Sequence, residues 1–427
     1  MVAFYLALRY FTGKSKAGWS QRTGLLPELN HTSRGSNRIW IHAVSAGEVV
    51  AAVPIIKSLH ARLPDYELVL SVTTPAGFEM ATQQAAGVVS HIFYAPFDLP
   101  WMASRAVAAI RPAAYVSLES EMWPNLLHLL KRSGAITIMV NGRISERSHR
   151  RILKYAKPVF RWMLGNMDRL LVQGEADAER LRSLLPAGKS ADSVCVMGNS
   201  KFDQSVTRLT SVEAAALKQS LQLPQGARIF VAGSTRSAEE EQIVLTAYQS
   251  LLSQYPDLCL IIAPRQIDRA EELSEVMIGR GLVPVRKTHL LEAKGPVRCL
   301  ILDTMGELAN VYAIADITFV GNSFEPVVKG GGQNLLQPLA HGKPVMYGPR
   351  IATIRSEADL AKESRVGFQA ATVEELTDTA ARLLADASNL QDISARALAL
   401  IEANRGVSDR YASAVADLLA NRTGSSM

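Results

Sequence analysis

The stretch Arg38–Pro54, RIWIHAVSAGEVVAAVP, joins a short apolar run to an amphipathic one through a turn at Ser45–Gly47. An apolar run that ends in a turn and continues in a helical pattern indicates a buried strand followed by a helix. The stretch therefore predicts one unit of an α/β fold, in which parallel strands alternate with helices. It also places a single carboxylate, Glu48, next to a glycine at the junction of strand and helix.

The same pattern is repeated along the chain. In the first half we predict strands at Ile39–Val44, Glu67–Val72, Ile92–Tyr94, Ala113–Leu118, Ile136–Val140, Arg169–Val172 and Val194–Met197. After the polar stretch GNSKFDQSVTRLTSVE, we predict strands at Ile229–Ala232, Leu258–Ile262, Leu282–Pro284, Cys299–Leu302, Ile317–Val320 and Pro344–Met346. The segment Val373–Leu419 contains only helical patterns, which we interpret as closing helices. The prediction is α/β, with two doubly wound Rossmann-like domains, 1–205 and 206–427, facing a cleft at the carboxyl ends of their strands.

The composition is that of a basic globular protein. Its 427 residues carry a net charge of +6, which favours anionic partners such as phosphates, acidic lipid headgroups or nucleic acid. The chain has neither G-x-G-x-x-G nor H-E-x-x-H, and its three cysteines form no C-x-x-C pair, so we predict no bound metal and no dinucleotide cofactor. The apolar N-terminus MVAFYLALRYF is shorter than a membrane-spanning helix. It is either a short anchor in the membrane interface or a packed terminal helix.

Glu48 has two interpretations. In the first, the S-x-x-E pattern from Ser45 to Glu48 is a capping box, in which Glu48 accepts a hydrogen bond from the Ser45 amide. In the second, Glu48 is a base in a ligand site, because Gly47 weakens the first helical turn but lets a ligand approach the backbone closely. Pro54, deep in the same helical pattern, removes a hydrogen bond and predicts a kink. The local pattern leaves both interpretations open.

The stretch SLESEMWPN, Ser117–Asn125, places two more carboxylates, Glu119 and Glu121, directly after a predicted buried strand. On an extended chain these two side chains point to the same side. They are either acidic residues at a helix N-terminus or, like Glu48, candidates for a base that takes a proton from a hydroxyl group.

Further stretches are candidates for binding anions. NGRISERSHRRILKYAK is a turn followed by basic residues, which form either a solvated face or a surface for phosphates and anionic lipid: Arg143, Arg147, Arg150, Arg151, Lys154 and Lys157. Val327–Pro349 has three glycines ahead of a predicted helix, and their backbone N–H groups predict an anion site unless the segment is a plain surface loop. Arg265 follows another strand and can hold a phosphate with two hydrogen bonds.

Together these motifs resemble those of Kdo transferases, which attach the acidic sugar Kdo (3-deoxy-D-manno-octulosonic acid) to lipid A precursors. The resemblance runs in order from about Trp40 to Pro349, through HAVSAGEVVAAVPII, LESEMWPNLL, NGRIS, GNSKFD, VAGSTR, APR, DTMGEL and GGGQNLLQPLAHGKPVMYGP. It implies the two-domain glycosyltransferase B fold and an inverting transfer from CMP-Kdo in lipopolysaccharide biosynthesis. It also implies work at the cytoplasmic face of the bacterial inner membrane, an anionic membrane surface as partner, no nucleic acid and no cofactor.

The resemblance also assigns site residues. Glu48 falls on the proton acceptor and Glu119 on a second functional carboxylate. The CMP-binding positions fall on Pro264, Arg265, Met305, Gly306, Glu307, Asn334, Leu335, Leu336 and Gln337. Three positions depart from the family pattern, which implies weaker or altered donor binding: Gln266 and Gln333 replace a usual histidine, and Gln337 replaces a usual glutamate.

Two other functions are alternatives. One is another nucleotide-sugar enzyme of the same fold, such as a UDP-sugar epimerase, which has to recognise a diphosphate. The other is a non-catalytic module that binds a nucleotide sugar or anionic lipid, motivated by the three glutamines. The presence of Glu48, Glu119 and Arg265 favours the transferase.

Overall fold

The computed structural model describes residues 17–30, 37–204, 208–324 and 331–424. The chain divides into two compact units, one formed by the residues up to Gln204 together with those from Asn404 on, and the other by Ser205–Ala403. The predicted division after residue 205 is close to this boundary. The prediction that 206–427 is a single domain is corrected at its C-terminal end, because the last helix belongs to the first unit. The apolar N-terminal stretch MVAFYLALRYF lies outside the described residues.

Seven described strands of the first unit form a parallel sheet in the order β3-β2-β1-β4-β5-β6-β7. They are β1 Arg38–Ala43, β2 Glu67–Val72, β3 His91–Tyr94, β4 Ala114–Leu118, β5 Ile136–Gly142, β6 Arg169–Val172 and β7 Val194–Val196. Each strand predicted for this half is present, with its ends shifted by no more than about two residues. The central strands are buried throughout, as expected for a parallel sheet with both faces covered.

Helices connect these strands. In chain order they are α1 Trp19–Arg22, α2 Pro27–Asn30, α3 Ala46–Arg62, α4 Pro75–Ala85, α5 Pro100–Ile110, α6 Pro124–Arg132, α7 Glu146–Tyr155, α8 Lys157–Gly165 and α9 Glu175–Leu184. Short 3₁₀ turns lie at Ala191–Ser193 and Ser200–Asp203.

The second unit repeats the architecture, with described strands in the order β10-β11-β9-β8-β12-β13-β14, again all parallel. They are β8 Ile229–Thr235, β9 Cys259–Pro264, β10 Pro284–Arg286, β11 Cys299–Ile301, β12 Ile317–Val320, β13 Val345–Tyr347 and β14 Gly367–Gln369. The predictions missed β14, whose three residues lack a distinctive apolar run. The predicted strand Leu282–Pro284 begins two residues too early.

The α-helices of this unit and the C-terminal helix complete the fold. They are α10 Ser211–Ser220, α11 Ala238–Leu251, α12 Ala270–Gly279, α13 Leu308–Val311, α14 Leu336–Ala340, α15 Arg355–Glu363, α16 Val373–Ala385, α17 Ala387–Ala403 and α18 Val407–Gly424. Further 3₁₀ turns lie at Ile267–Arg269, Lys287–Glu292 and Tyr312–Ile314. None of the helices in the described ranges is long and apolar enough to cross a membrane.

The C-terminal helix α18 packs against α3 of the first unit. Val407, Tyr411 and Val415 are buried in the apolar cluster that also contains residues of α3. The Asp203 carboxylate accepts hydrogen bonds from the amides of Gly406, at 2.7 Å, and Ser408, at 2.5 Å, and so fixes the start of this helix. This apolar burial is the physical reason why the last helix joins the first unit.

Strand order determines where each unit can bind a ligand. In the first sheet the chain runs outward from β1 to β3 and then returns to place β4 on the other side of β1. In the second sheet the equivalent reversal lies between β8 and β12. Ligands of doubly wound sheets bind at such switch points, beyond the carboxyl ends of the strands. The segments after β1 and β4 are therefore the candidate ligand-binding edge of the first unit, and those after β8 and β12 are that of the second unit.

Candidate active site

Glu48 lies in the first turn of α3, at the switch point of the first unit. Its Oε2 accepts a hydrogen bond from the Val44 amide at 2.8 Å, and its Oε1 accepts one from the Ser45 hydroxyl at 3.1 Å. The Ser45 side chain caps no backbone amide. A complete capping box needs a Ser45 oxygen on the third amide of the helix and Glu48 on the Ser45 amide. The capping interpretation is therefore only partly correct, because Glu48 uses the amide of Val44 instead.

The surroundings of Glu48 favour its protonated form. Burial, and to a lesser degree the charges of Glu119 and Glu121, raise the pKa of Glu48 to about 7, although the Val44 amide acts in the opposite direction. A base is most effective when its pKa is close to the working pH. At neutral pH, Glu48 is therefore able both to accept a proton and to release it.

Gly47 leaves open space beside this carboxylate. A Cβ atom built on Gly47 would meet no heavy atom closer than the Ser45 Oγ, at 4.0 Å. Packing within the described residues does not explain the glycine, which weakens the helix at this position. The open space allows a ligand to approach the backbone next to Glu48, as the second interpretation of this residue expects.

Glu119 and Glu121 follow β4, directly across the switch point. Glu119 has a left-handed backbone with φ of 55°, and its amide donates to the Val140 carbonyl at 2.9 Å. The chain is therefore not extended here, so the sequence gives no reason to expect the Glu119 and Glu121 side chains on the same side. Burial and the charge of Glu119 raise the pKa of Glu121. Because both charges also act on Glu48, the three carboxylates form one acidic cluster.

A neutral histidine connects the two sides of this switch point. The Trp123 indole N–H donates to His42 Nε2 at 3.1 Å, so the imidazole proton resides on Nδ1, which donates to the Ser71 hydroxyl oxygen at 2.8 Å. The Trp40 indole N–H donates to the same oxygen at 2.8 Å. Burial lowers the pKa of His42 to about 4, which keeps it neutral. His42 thus ties β1, which leads to Glu48, to the chain just after Glu121.

Sequence reasoning missed this network. The available signal was a pair of polar residues in otherwise apolar strand patterns, His42 in β1 and Ser71 in β2. The register of the sheet places these two residues side by side.

A second network supports the middle of α3. The sequence predicts Asn141 in a turn, but Asn141 lies at the end of β5 with φ of 53°, beside an irregularity in the strand pairing. Its Oδ1 accepts from the Ser200 amide at 3.0 Å, and the Ser200 hydroxyl donates to the Ala51 carbonyl at 2.9 Å. Ala51 lies three residues before Pro54, which α3 accommodates without ending. The NGRIS and GNSKFD motifs therefore hold the helix that carries Glu48.

In the second unit, Pro264 is the last residue of β9 and Arg265 follows it. The Arg265 amide donates to the Thr235 carbonyl at 2.7 Å, which fixes the backbone against β8. Its side chain is exposed and has no hydrogen-bond or ion-pair partner among the residues that the structure describes. A free guanidinium at the carboxyl end of a strand is available for a phosphate.

The segment Met305–Glu307 follows β11 on the same edge of the sheet. Met305 is 74% exposed, and Gly306 has a left-handed φ of 85° with no atom near its missing Cβ. Glu307 forms a long ion pair with Lys287 at 3.8 Å. These residues present an open surface at the end of β11, and their role in binding CMP remains a prediction.

The glycine segment differs from its prediction. The amides of Gly331 and Gly332 both donate to the Asn322 carbonyl, at 3.1 and 2.7 Å, so they do not face an anion. Cβ atoms at these glycines would collide with Thr353 and Ile354, and this close packing explains why glycine occupies both positions. The following helix α14 has only five residues. The predicted anion site built from glycine amides is therefore corrected for Gly331 and Gly332, whereas Gly330 lies outside the described residues.

The residues after the glycines are only partly available to a ligand. The Leu335 and Leu336 side chains are buried in the core, so only their backbone could contact a nucleotide. Asn334 Oδ1 accepts a hydrogen bond from the Leu336 amide at 2.9 Å. Gln337 is partly exposed. Within the described ranges, no group of three His, Cys, Asp or Glu side chains is arranged to hold a metal ion.

The fold is similar to that of a glycosyltransferase and of a UDP-sugar epimerase of known structure. A glycosyltransferase from Rickettsia africae superposes with a TM-score of 0.60 at 12% identity, over 90% of this chain and 98% of that one. A UDP-GlcNAc 2-epimerase from Neisseria meningitidis superposes with a TM-score of 0.59 at 11% identity, over 90% and 100% of the two chains. With its two parallel sheets, the protein has the glycosyltransferase B fold.

The family follows from sequence similarity. Residues 17–204 match the family model described as 3-deoxy-D-manno-octulosonic-acid transferase (kdotransferase). The 3-deoxy-D-manno-octulosonic acid transferase of Haemophilus influenzae is 32% identical over 312 residues, which cover 73% of this chain and 70% of that protein. The chain belongs to the Kdo transferase family, and it is a glycosyltransferase. A bifunctional glycosyltransferase/methyltransferase of Fusobacterium nucleatum is also 32% identical, over 79% of this chain and 51% of its own length, so this chain spans about half of that relative.

Proposed function

We propose that the protein transfers Kdo from CMP-Kdo to a lipid A precursor, with inversion at the anomeric carbon, in lipopolysaccharide biosynthesis. The observation that carries the proposal is Glu48, a carboxylate at a switch point whose pKa is raised to about 7 and which has open space beside it. Membership of the Kdo transferase family supports the choice of sugar.

In the proposed reaction, a hydroxyl oxygen of the acceptor attacks the anomeric carbon of Kdo while Glu48 accepts the hydroxyl proton. The bond between that carbon and the phosphate oxygen breaks, and its electron pair leaves with CMP. Attack from the face opposite to CMP inverts the anomeric centre. Glu119 contributes through its charge, which helps to raise the proton affinity of Glu48. Proton transfer by a positioned group of this kind contributes about 10²–10⁴-fold to rate.

The second unit is proposed to hold the donor. The free Arg265 guanidinium neutralises the leaving phosphate, a charge that develops as the bond to Kdo breaks. Pro264, Met305–Glu307 and Asn334–Gln337 are proposed to contact CMP, with Leu335 and Leu336 doing so through their backbone only. Gln337 offers a ribose hydroxyl an uncharged acceptor. CMP leaves with one phosphate, so this scheme needs no cofactor.

Nucleotide preference tests the donor assignment against the epimerase alternative. Isothermal titration of the purified protein is expected to give tighter binding of CMP than of UDP, by about tenfold or more, because a site for one phosphate leaves part of a diphosphate unpaired. Tighter binding of UDP would contradict the proposal. Binding of CMP without release of CMP from CMP-Kdo, in the presence of acceptor, would favour the non-catalytic module instead.

We also propose that the first unit works at the anionic cytoplasmic face of the inner membrane. Helix α7 has no buried residue, and together α7 and α8 expose Leu153, Tyr155 (73%), Val159 and Trp162 (44%). The same two helices carry six basic residues and one acidic residue, Glu146: the basic ones are Arg147, Arg150, Arg151, Lys154, Lys157 and Arg161. Exposed aromatic side chains among basic ones are typical of surfaces that bind acidic lipid headgroups. We call this surface the α7–α8 patch.

Vesicle binding tests the α7–α8 patch. Replacing Arg147 and Arg151 with glutamate is expected to weaken sedimentation with phosphatidylglycerol-containing vesicles by about tenfold or more, since each basic residue near an anionic surface contributes ~1 kcal/mol. Replacing Arg365 and Arg382 with glutamate makes the same charge change on the second unit and should have little effect on sedimentation with vesicles. Binding by the wild-type protein should also fall with added salt. Equal binding to neutral vesicles, or equal losses in both double variants, would contradict the proposal.

A further inference from the structure

Glu240 is a fully buried carboxylate that accepts four backbone hydrogen bonds. Its Oε2 accepts from the amides of Arg236 at 3.0 Å and Asn322 at 2.8 Å. Its Oε1 accepts from the amides of Ser323 at 2.9 Å and Phe324 at 3.2 Å. Neither the capping of α11 nor the proposed reaction requires a carboxylate with so many partners.

These four amides lie on both sides of the switch point in the second unit. Arg236 directly follows β8, and residues 322–324 follow β12. The packing is tight, because a Cβ atom on Gly321 would lie 2.7 Å from the Ser234 carbonyl and 2.8 Å from Glu240 Oε2. Glu240 therefore fixes the relative position of the two segments between which a doubly wound sheet binds its ligand.

The connection extends to the proposed donor residues. The Asn322 amide is held by Glu240, and the Asn322 carbonyl accepts from the amides of Gly331 and Gly332. This chain of hydrogen bonds ends at Gly332, two residues before Asn334. Asn322 itself has a left-handed backbone, with φ of 59°, which needs support from its surroundings.

Glu48 and Glu240 occupy equivalent positions in the two units. Each is the third residue of the helix that follows the first strand of its sheet, three residues after a serine, and each accepts from the amide four residues before it. They differ across the switch point, where Glu240 meets three amides and Glu48 is close to the charges of Glu119 and Glu121. The carboxylate of this local pattern is thus fully hydrogen-bonded in the second unit, whereas in the first unit it remains able to accept a proton.

We infer that Glu240 is a positioning residue for the nucleotide of the donor, which it serves by holding the segments after β8 and β12 in place. The inference rests on the proposed use of CMP-Kdo. Glu240 does not act in proton transfer, so its loss should affect donor binding and leave the role of Glu48 unchanged.

The variant Glu240→Gln tests this role. Its side-chain NH₂ group would face two amide donors, which leaves buried groups unpaired and displaces the segments. We expect the Kd for CMP and the KM for CMP-Kdo to rise roughly 10- to 100-fold, whereas the acceptor KM and the pH dependence of kcat stay unchanged. The matched control is Asp316→Asn, because Asp316 accepts from the Ile229 amide at 2.7 Å and so joins the opposite ends of the same two strands. It should leave CMP affinity within about twofold of wild type.

Gly321→Ala provides an independent variant, since it separates the same segments without changing the carboxylate. Unchanged CMP affinity in a folded Glu240→Gln or Gly321→Ala protein overturns the inference. If neither variant folds, hydrogen exchange of the wild-type protein decides: CMP is expected to slow exchange of the amides that donate to Glu240, those of Arg236 and residues 322–324, and no change there in protein that binds CMP overturns the inference. A wild-type protein that neither binds CMP nor uses CMP-Kdo would instead contradict the proposed function itself.

Discussion

Replacing Glu48 with glutamine is expected to lower kcat for Kdo transfer by about 10²- to 10⁴-fold, because glutamine cannot accept the acceptor's proton. The measurement is kcat at saturating CMP-Kdo and acceptor. The matched control is Glu213→Gln, since Glu213 is the third residue of α10 and forms a complete capping box with Thr210. That variant also loses a carboxylate at a helix start and should retain near wild-type kcat. Near wild-type kcat in Glu48→Gln would contradict the base assignment.

The Glu48→Gln protein should be folded, and above neutral pH it should be more stable than the wild-type protein. The folded-state pKa of Glu48, about 7, is above its ordinary value of 4.5, so between these values the folded protein retains a proton that the unfolded chain loses. The free energy of unfolding therefore falls as pH rises through this range. Glutamine carries no charge that burial would desolvate. The free energy of unfolding of Glu48→Gln should therefore exceed that of the wild-type protein by on the order of 2 kcal/mol at pH 8 and equal it at pH 4. Denaturant unfolding at both pH values measures the difference.

Replacing Arg265 with alanine is expected to lower kcat/KM for CMP-Kdo by about 10²- to 10³-fold. Arg265 has no described partner, so its loss leaves no buried charge and disturbs no ion pair. The effect should therefore come from the leaving phosphate alone. Arg265→Lys should recover only part of the loss, because lysine keeps the charge but not the planar pair of donors.

The control for Arg265 is Arg382→Ala in the same unit, which removes an exposed arginine that lies over the Phe368 ring. Steady-state kinetics with varied CMP-Kdo compares the three variants with wild type. A loss in Arg382→Ala as large as that in Arg265→Ala would indicate a general effect of charge. Full activity in Arg265→Ala would remove this residue from the donor site.

Local patterns predicted the two sheets well, because buried parallel strands are short apolar runs bounded by turns. The stretch from Arg38 to Pro54 predicted both the first strand and the junction that carries Glu48. The same reasoning failed for the C-terminal helix, whose partner α3 precedes it by more than 300 residues. An amphipathic pattern shows that a helix needs a partner but does not identify it.

The site shows the same limit at the level of single residues. Glu48 could be identified from its neighbours in the sequence, but its raised pKa depends on Glu119 and Glu121, which approach it only in the folded sheet. The glycine segment has the composition of an anion site, yet the amides of two of its glycines are taken by a carbonyl on the segment after β12. Patterns in sequence predicted which groups occur at strand ends, and long-range hydrogen bonds determine which of them remain free.

Mass spectrometry of a tetraacyl lipid A precursor, incubated with freshly generated CMP-Kdo and either wild-type protein or Glu48→Gln, tests Kdo transfer and the role of Glu48 together. We expect the wild-type protein to add the mass of one or more Kdo units and to release CMP in equal number, while the variant binds CMP and adds none in the same time. No mass gain with folded wild-type protein that binds CMP would contradict Kdo transfer, and an equal gain with both proteins would contradict Glu48 as the base.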